Sequence, residues 1–134
     1  MSDRKKLLVV DDQKGVALVV SRIAEELGFE SQVLTGSESA ITVFMDFKPD
    51  VVMLDMIMPE KDGIDVLNEM LLSGARCRFV LTSGLSNAYL RLGEQIARFH
   101  NGARVSVLRK PFRRAELLSA LAESGGADQC CAAA

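Results

Sequence analysis

The chain has 134 residues, 49% of them apolar and 25% charged, and a formal net charge of -2. This is the length of one domain with enough apolar residues for a hydrophobic core, and the composition is neither disordered nor fibrous. The charge balance leaves no basic stripe for direct nucleic-acid binding, and no apolar run approaches the roughly 18–20 residues that span a bilayer.

Strand-like and helix-like patterns alternate five times along the chain. Leu7 to Val10 reads as a buried strand, after which Val16, Val19, Val20, Ile23 and Leu27 follow helical spacing. Gly28 is placed to stop that helix, because glycine takes the left-handed conformation without cost. Ser31 to Leu34 is a weaker strand, and Ser37 is placed to cap a second helix carrying Ala40, Val43, Phe44 and Phe47. Pro49-Asp50 punctuates before the clearest strand, Val51 to Leu54, which ends at Asp55. A helix on Ile64, Leu67, Met70 and Leu71 follows, then a strand from Phe79 to Leu81 and a helix on Tyr89, Leu92, Ile96 and Phe99. Val105 to Leu108 is the fifth strand, and the last helix carries Leu117, Leu118 and Leu121.

Strands alternating with helices of this length imply an α/β fold: a parallel sheet covered on both faces, doubly wound. The expected domain covers residues 5–123, and 124–134 reads as a flexible tail or the start of a linker. Only four apolar residues separate the basic start from Asp11, too few for a signal-peptide core, so a cytoplasmic location is expected. Cys77, beside an apolar run, reads as a small buried hydrophobe. Cys130 and Cys131 are neighbours and cannot build a disulfide framework. Cys131-Ala-Ala-Ala matches a prenylation box in form only, since no polybasic stretch precedes it.

The chemistry gathers at strand ends. Asp11-Asp12 follow Val10, Asp55 follows Leu54, Thr82-Ser83 follow Leu81, and Lys110 follows the fifth strand. Taken singly, each has an ordinary explanation. Aspartate before a helix is a common N-cap, and Lys110-Pro111 alone is an ordinary strand exit. Asp55 alone reads equally as a solvated strand end or a functional group, because burying an unpaired carboxylate is costly. Together they occupy four strand ends on one rim, where open α/β sheets bind ligands. A cluster of carboxylates suits a hard divalent cation, and an ammonium beside it suits a phosphoryl group.

These segments, Leu7-Leu-Val-Val-Asp-Asp, then Pro49-Asp-Val-Val-Met-Leu-Asp-Met-Ile-Met-Pro with Gly63, and Lys110-Pro-Phe, resemble the response-regulator receiver domains of two-component signalling. The resemblance implies a flavodoxin-like (βα)5 three-layer sandwich with strand order 2-1-3-4-5. It makes Asp55 the phosphoacceptor, charged by a histidine kinase or a histidine phosphotransfer protein. Asp12 and Asp55 then bind Mg²⁺ directly with the backbone carbonyl of Ile57, and Asp11 assists through water. Lys110 pairs with the phosphoryl oxygens, and a cis bond precedes Pro111. Ser83, followed by the small Gly84, is the first choice for the hydroxyl that reaches the phosphoryl group; Thr82, followed by Ser83, is the alternative.

The chain departs from the family in three places. Val107 stands where an aromatic switch residue is usual, and valine has one dominant rotamer, so output is expected to depend on the loop after Ser83 and on the fourth helix. Ile57 and Leu85 are apolar where polar residues help orient water, which implies slow self-dephosphorylation. The output surface is expected on the face of helix four, strand five and helix five, as a switch in protein binding. His100 reads as a surface residue at a helix end, and the modest basic patch of Arg109, Arg113 and Arg114 as a solvated helix start first and a partner-docking patch second. The chain reads either as stand-alone or as excised from a longer protein. A rival from another class is a Mg²⁺-dependent phosphohydrolase using an aspartyl-phosphate; against it, no aspartate stands two residues after Asp55.

Overall fold

Runs of Leu and Val with nothing polar between them must be covered on both faces, and β1 (Lys6–Val10) and β3 (Val51–Asp55) are such runs at the centre of the sheet. The computed structural model describes residues 4–36, 40–58, 62–74, 77–84, 87–100 and 104–122, with the Tyr89 side chain excepted. Ser37, Leu85, the tail and its two cysteines lie outside the described residues. The remaining elements are α1 (Lys14–Glu26), β2 (Glu30–Leu34), α2 (Ala40–Phe47), α3 (Gly63–Leu72), β4 (Arg78–Ser83), α4 (Asn87–Phe99), β5 (Val105–Arg109) and α5 (Arg114–Ala122). All five strands are parallel, in the order β2-β1-β3-β4-β5 expected from the resemblance.

Alternation along the strands divides the core into two layers. Leu8, Val10, Val52, Leu54, Phe79 and Leu81 face α2, α3 and α4. Leu7, Val9, Val51, Met53, Val80 and Leu108 face α1 and α5. The edge strand β2 is only half-buried, which is why its sequence signal is weak. Gly28 does end α1, with φ 93° and its N–H on the Glu25 carbonyl. Cys77 is buried, and burial pushes its thiol up to about 12, so it stays a neutral packing group. Among the described residues no helix is long and apolar enough to cross a membrane.

Helix α4 corrects the sequence pattern. Leu92 and Phe99 are 45% and 87% exposed, and the buried positions are Leu90, Gly93 and Ala97. A Cβ on Gly93 would stand 2.8 Å from Met56 Cε and 2.9 Å from Leu81 Cδ1. Small residues let this helix lie close on the sheet beside Leu90 and the half-buried Ile96, while Leu92 and Phe99 point elsewhere.

Arg78 was not singled out by the sequence, yet it is 1% exposed at the start of β4. Its guanidinium donates to the Ala120 carbonyl, to the Leu121 carbonyl at 3.4 Å and to Ser106 Oγ at 3.3 Å. Those carbonyls belong to the last turn of α5, where helical partners run out and cations are favoured.

Candidate functional site

Strand β1 carries Asp11 to the rim, where its N–H is held by the Leu34 carbonyl at 3.0 Å. Its Oδ1 accepts the Gln13 N–H at 2.8 Å, which fixes the turn from β1 into α1. Strand β3 ends at Asp55, whose Oδ1 accepts the Ile57 N–H at 3.1 Å. Strand β5 delivers Lys110, whose N–H bonds the Ser83 carbonyl at 3.1 Å and ties the ends of β4 and β5 together. The peptide bond between Lys110 and Pro111 is cis.

These groups converge. Lys110 Nζ lies 2.8 Å from Asp11 Oδ2, 3.2 Å from Asp55 Oδ2 and 2.9 Å from Gln13 Oε1. Asp11 and Asp55 are 3% and 5% exposed, while Asp12 stands on the solvent side. One ligand oxygen from each of Asp11, Asp12 and Asp55 falls within 4.8 Å of the others. Three carboxylates that close fit a hard cation, because their mutual repulsion is relieved only by positive charge. The cluster opens into a cleft of about 1050 Å³ whose lining includes Gln13, Ile57, Met58, Gly84 and Phe112.

Gly63 shapes the loop that follows Asp55. Its N–H donates to the Met56 carbonyl at 3.1 Å, and a Cβ there would stand 2.6 Å from that same oxygen. No side chain fits between α3 and the backbone next to Asp55.

Burial pushes the Asp55 carboxyl up to about 6. The Ile57 N–H and the Lys110 ammonium act against that rise, and the Asp11 charge adds to it. Desolvation is the largest of these effects and sets the net direction.

The two candidate hydroxyls are both buried but differ in setting. Thr82 pairs in register with Asp55, on the face shared by Met53 and Val80. Its Oγ1 has no hydrogen-bond partner among the described residues. Ser83 is one residue on, where alternation turns it toward the layer of Leu81, and its neighbour Gly84 lines the cleft. Asp11, Asp55 and Lys110 are thus brought into direct contact, Asp12 joins the acidic cluster, and Ile57 contributes its backbone beside it. Sequence reasoning missed Gln13. The available signal was a glutamine at a helix N-cap, a position that ordinarily selects Ser, Thr, Asp or Asn.

Comparison with known proteins gives a consistent result. Residues 7–122 match the family model described as the response regulator receiver domain. The chain is 33% identical to the regulatory protein AtoC of Escherichia coli over 87% of its own length and 24% of that protein's. It is 26% identical to the chemotaxis protein CheY of Thermotoga maritima, covering 87% of this chain and 94% of CheY. The receiver domain of the Francisella response regulator 1452 superposes with a TM-score of 0.76 at 26% identity, covering 90% of this chain and 96% of that one. The chain spans about a quarter of AtoC and, at 48%, about half of a matching protein named as a DNA-binding response regulator.

Proposed function

Because this chain belongs to the response regulator receiver domain family, we propose that Asp55 accepts a phosphoryl group from a histidine kinase or a histidine phosphotransfer protein. The observation that carries this reading is the Lys110 ammonium set against both Asp11 and Asp55 beside a third carboxylate. Receiver domains are signalling domains rather than conventional enzymes, and here the reaction is the protein's own modification. The DNA-binding named for some relatives is said of proteins that this chain half spans; this chain's net charge of -2 does not itself point to nucleic acid.

An Asp55 oxygen attacks the phosphorus while the bond to the donor's imidazole nitrogen breaks; the bonding pair returns to a ring already protonated on its other nitrogen, which leaves as neutral imidazole. Asp55 is oriented before the donor arrives, since Ile57 N–H holds Oδ1 and Lys110 holds Oδ2. Lys110 then places positive charge beside the transferring oxygens. Asp12 and Asp55 would hold Mg²⁺ with the Ile57 carbonyl, and Asp11 through water. When bound, the ion supplies charge neutralisation to the carboxylates and the phosphoryl oxygens. Output would pass through the α4–β5–α5 face; Leu92 and Phe99 of α4 and Val107 of β5 are exposed apolar residues on two of its elements. The apolar Ile57 side chain at the cleft offers an attacking water no hydrogen bond, which favours a long-lived label.

Intact mass after incubation with a small phosphodonor and Mg²⁺ tests the reading. The native protein should gain one phosphoryl group and Asp55→Asn none. No gain in the native protein sinks the reading, and many turnovers of donor per chain would favour the hydrolase.

The hydroxyl assignment has its own test. Ser83→Ala should weaken the response of the α4–β5–α5 face to phosphorylation, read as amide shifts with a phosphoryl mimic, while Thr82→Val should preserve it. Thr82→Val should also stabilise the fold by about 1 kcal/mol, since a buried hydroxyl without a partner costs roughly 1–3 kcal/mol. Loss of the response in Thr82→Val, with Ser83→Ala intact, would transfer the role to Thr82.

A further inference from the structure

We infer that Gln13 is a positioning residue that keeps the Lys110 ammonium over Asp55 while the carboxylates are engaged by a cation. This rests on the phosphoacceptor reading and adds a residue to it. Gln13 occupies the N-cap of α1, yet its side chain makes no capping hydrogen bond. Its Oε1 instead accepts from Lys110 Nζ at 2.9 Å, across 97 residues of sequence. Its backbone alone serves the local structure, the N–H donating to Asp11 Oδ1 and the carbonyl accepting from the Ala17 N–H. The side chain therefore does nothing for the helix that carries it and is spent on the lysine.

Lys110 has three N–H donors and three acceptors: Asp11 Oδ2, Asp55 Oδ2 and Gln13 Oε1. Asp11 and Asp55 belong to the acidic cluster, and a cation drawn to that cluster competes with the ammonium for their oxygens. Gln13 is the acceptor outside the cluster. Being neutral, it can hold Lys110 in place without consuming the positive charge that the phosphoryl oxygens need. A carboxylate at position 13 would hold the lysine as firmly but would add a fourth negative charge at the cleft. An apolar residue would leave the ammonium on a long flexible stem, tethered only by groups the cation contests.

Gln13 is exposed, so substitution there leaves the core alone, and matched melting curves check that each variant folds. The first readout uses protein with Mg²⁺ in excess: the rate at which an amine-reactive reagent labels Lys110, followed by mass spectrometry of peptides. Gln13→Met, nearly the same shape without an acceptor, should be labelled several-fold faster than native, and Gln13→Glu no faster than native. The second is the rate of Asp55 phosphorylation by a small phosphodonor with Mg²⁺, over a range of donor concentrations. Gln13→Met should lower the maximal rate several-fold with little change in half-saturation. In a Lys110→Ala background the same substitution should have no further effect, because a residue that acts through another is silent once that residue is gone. Native-like labelling and rate in Gln13→Met overturn the inference, and so does an equal loss with and without Lys110. If the native protein itself gains no phosphoryl group, the phosphoacceptor reading fails, and the labelling result still decides whether Gln13 holds the lysine.

Discussion

Replacing Asp55 by asparagine should make the cation-free protein more stable at neutral pH and strip it of most of its response to Mg²⁺. The carboxyl has a pKa of about 6 in the fold, against about 3.9 in an unfolded chain. Between those values the folded state binds the proton that the unfolded state releases. Stability from this group is therefore complete below about pH 4 and is lost as pH rises through 6. At pH 7.5 the native protein carries the full cost of an ionised, desolvated carboxylate beside Asp11. Asparagine removes that cost, on the order of 1 kcal/mol once water at the rim has screened it. Bound Mg²⁺ removes it another way, and at a hundred times its Kd stabilises the native fold by about 2.7 kcal/mol. Urea unfolding of both proteins at pH 4.5 and 7.5, with and without Mg²⁺, measures all of this. The Asp55→Asn advantage should appear at pH 7.5, shrink at pH 4.5, and vanish or reverse when Mg²⁺ is added. Parallel pH profiles, or a native protein indifferent to the ion, would remove the acidic cluster from the mechanism.

How much of this was legible beforehand depends on what each residue does. The central strands were plain because parallel strands buried on both faces are written as unbroken apolar runs. The acidic rim was legible only from the conjunction, because each aspartate alone reads equally as an N-cap or a solvated strand end, whereas four strand ends carrying such groups do not. Helix α4 was half legible. Its existence and Ile96 showed in the spacing, but Gly93 and Ala97 share its inward face with Leu90, and hydrophobic size carries no trace of such close approach. Arg78 was invisible for the opposite reason: a charge beside Cys77 reads as a loop residue until α5 is seen to end above it. Gln13 was missed because its partner lies at the far end of the chain. Pairings of that kind are set by strand order, which brings the ends of β1, β3 and β5 to one rim although other strands and helices separate them in sequence.

Arg78→Ala should cost about 3–5 kcal/mol, the range for removing a large buried side chain or one partner of a buried polar set. Three losses combine: the volume of a side chain 1% exposed, the donors to Ala120 and Leu121, and the bond to Ser106. Arg78→Met separates them. It restores most of the volume and no donor, so it should recover part of the stability while leaving the last turn of α5 unsatisfied. Amide exchange then becomes the sharper readout. In Arg78→Met, protection should fall first in α5, with β1 and β3 holding theirs, because local opening follows the element that lost its partner. Because α5 forms one side of the proposed output face, this variant should accept phosphate on Asp55 at a near-native rate yet bind a partner less tightly. Uniform loss of protection across sheet and helices would mean that Arg78 supports the whole core, and the separation between receiving the signal and passing it on would fail at this residue.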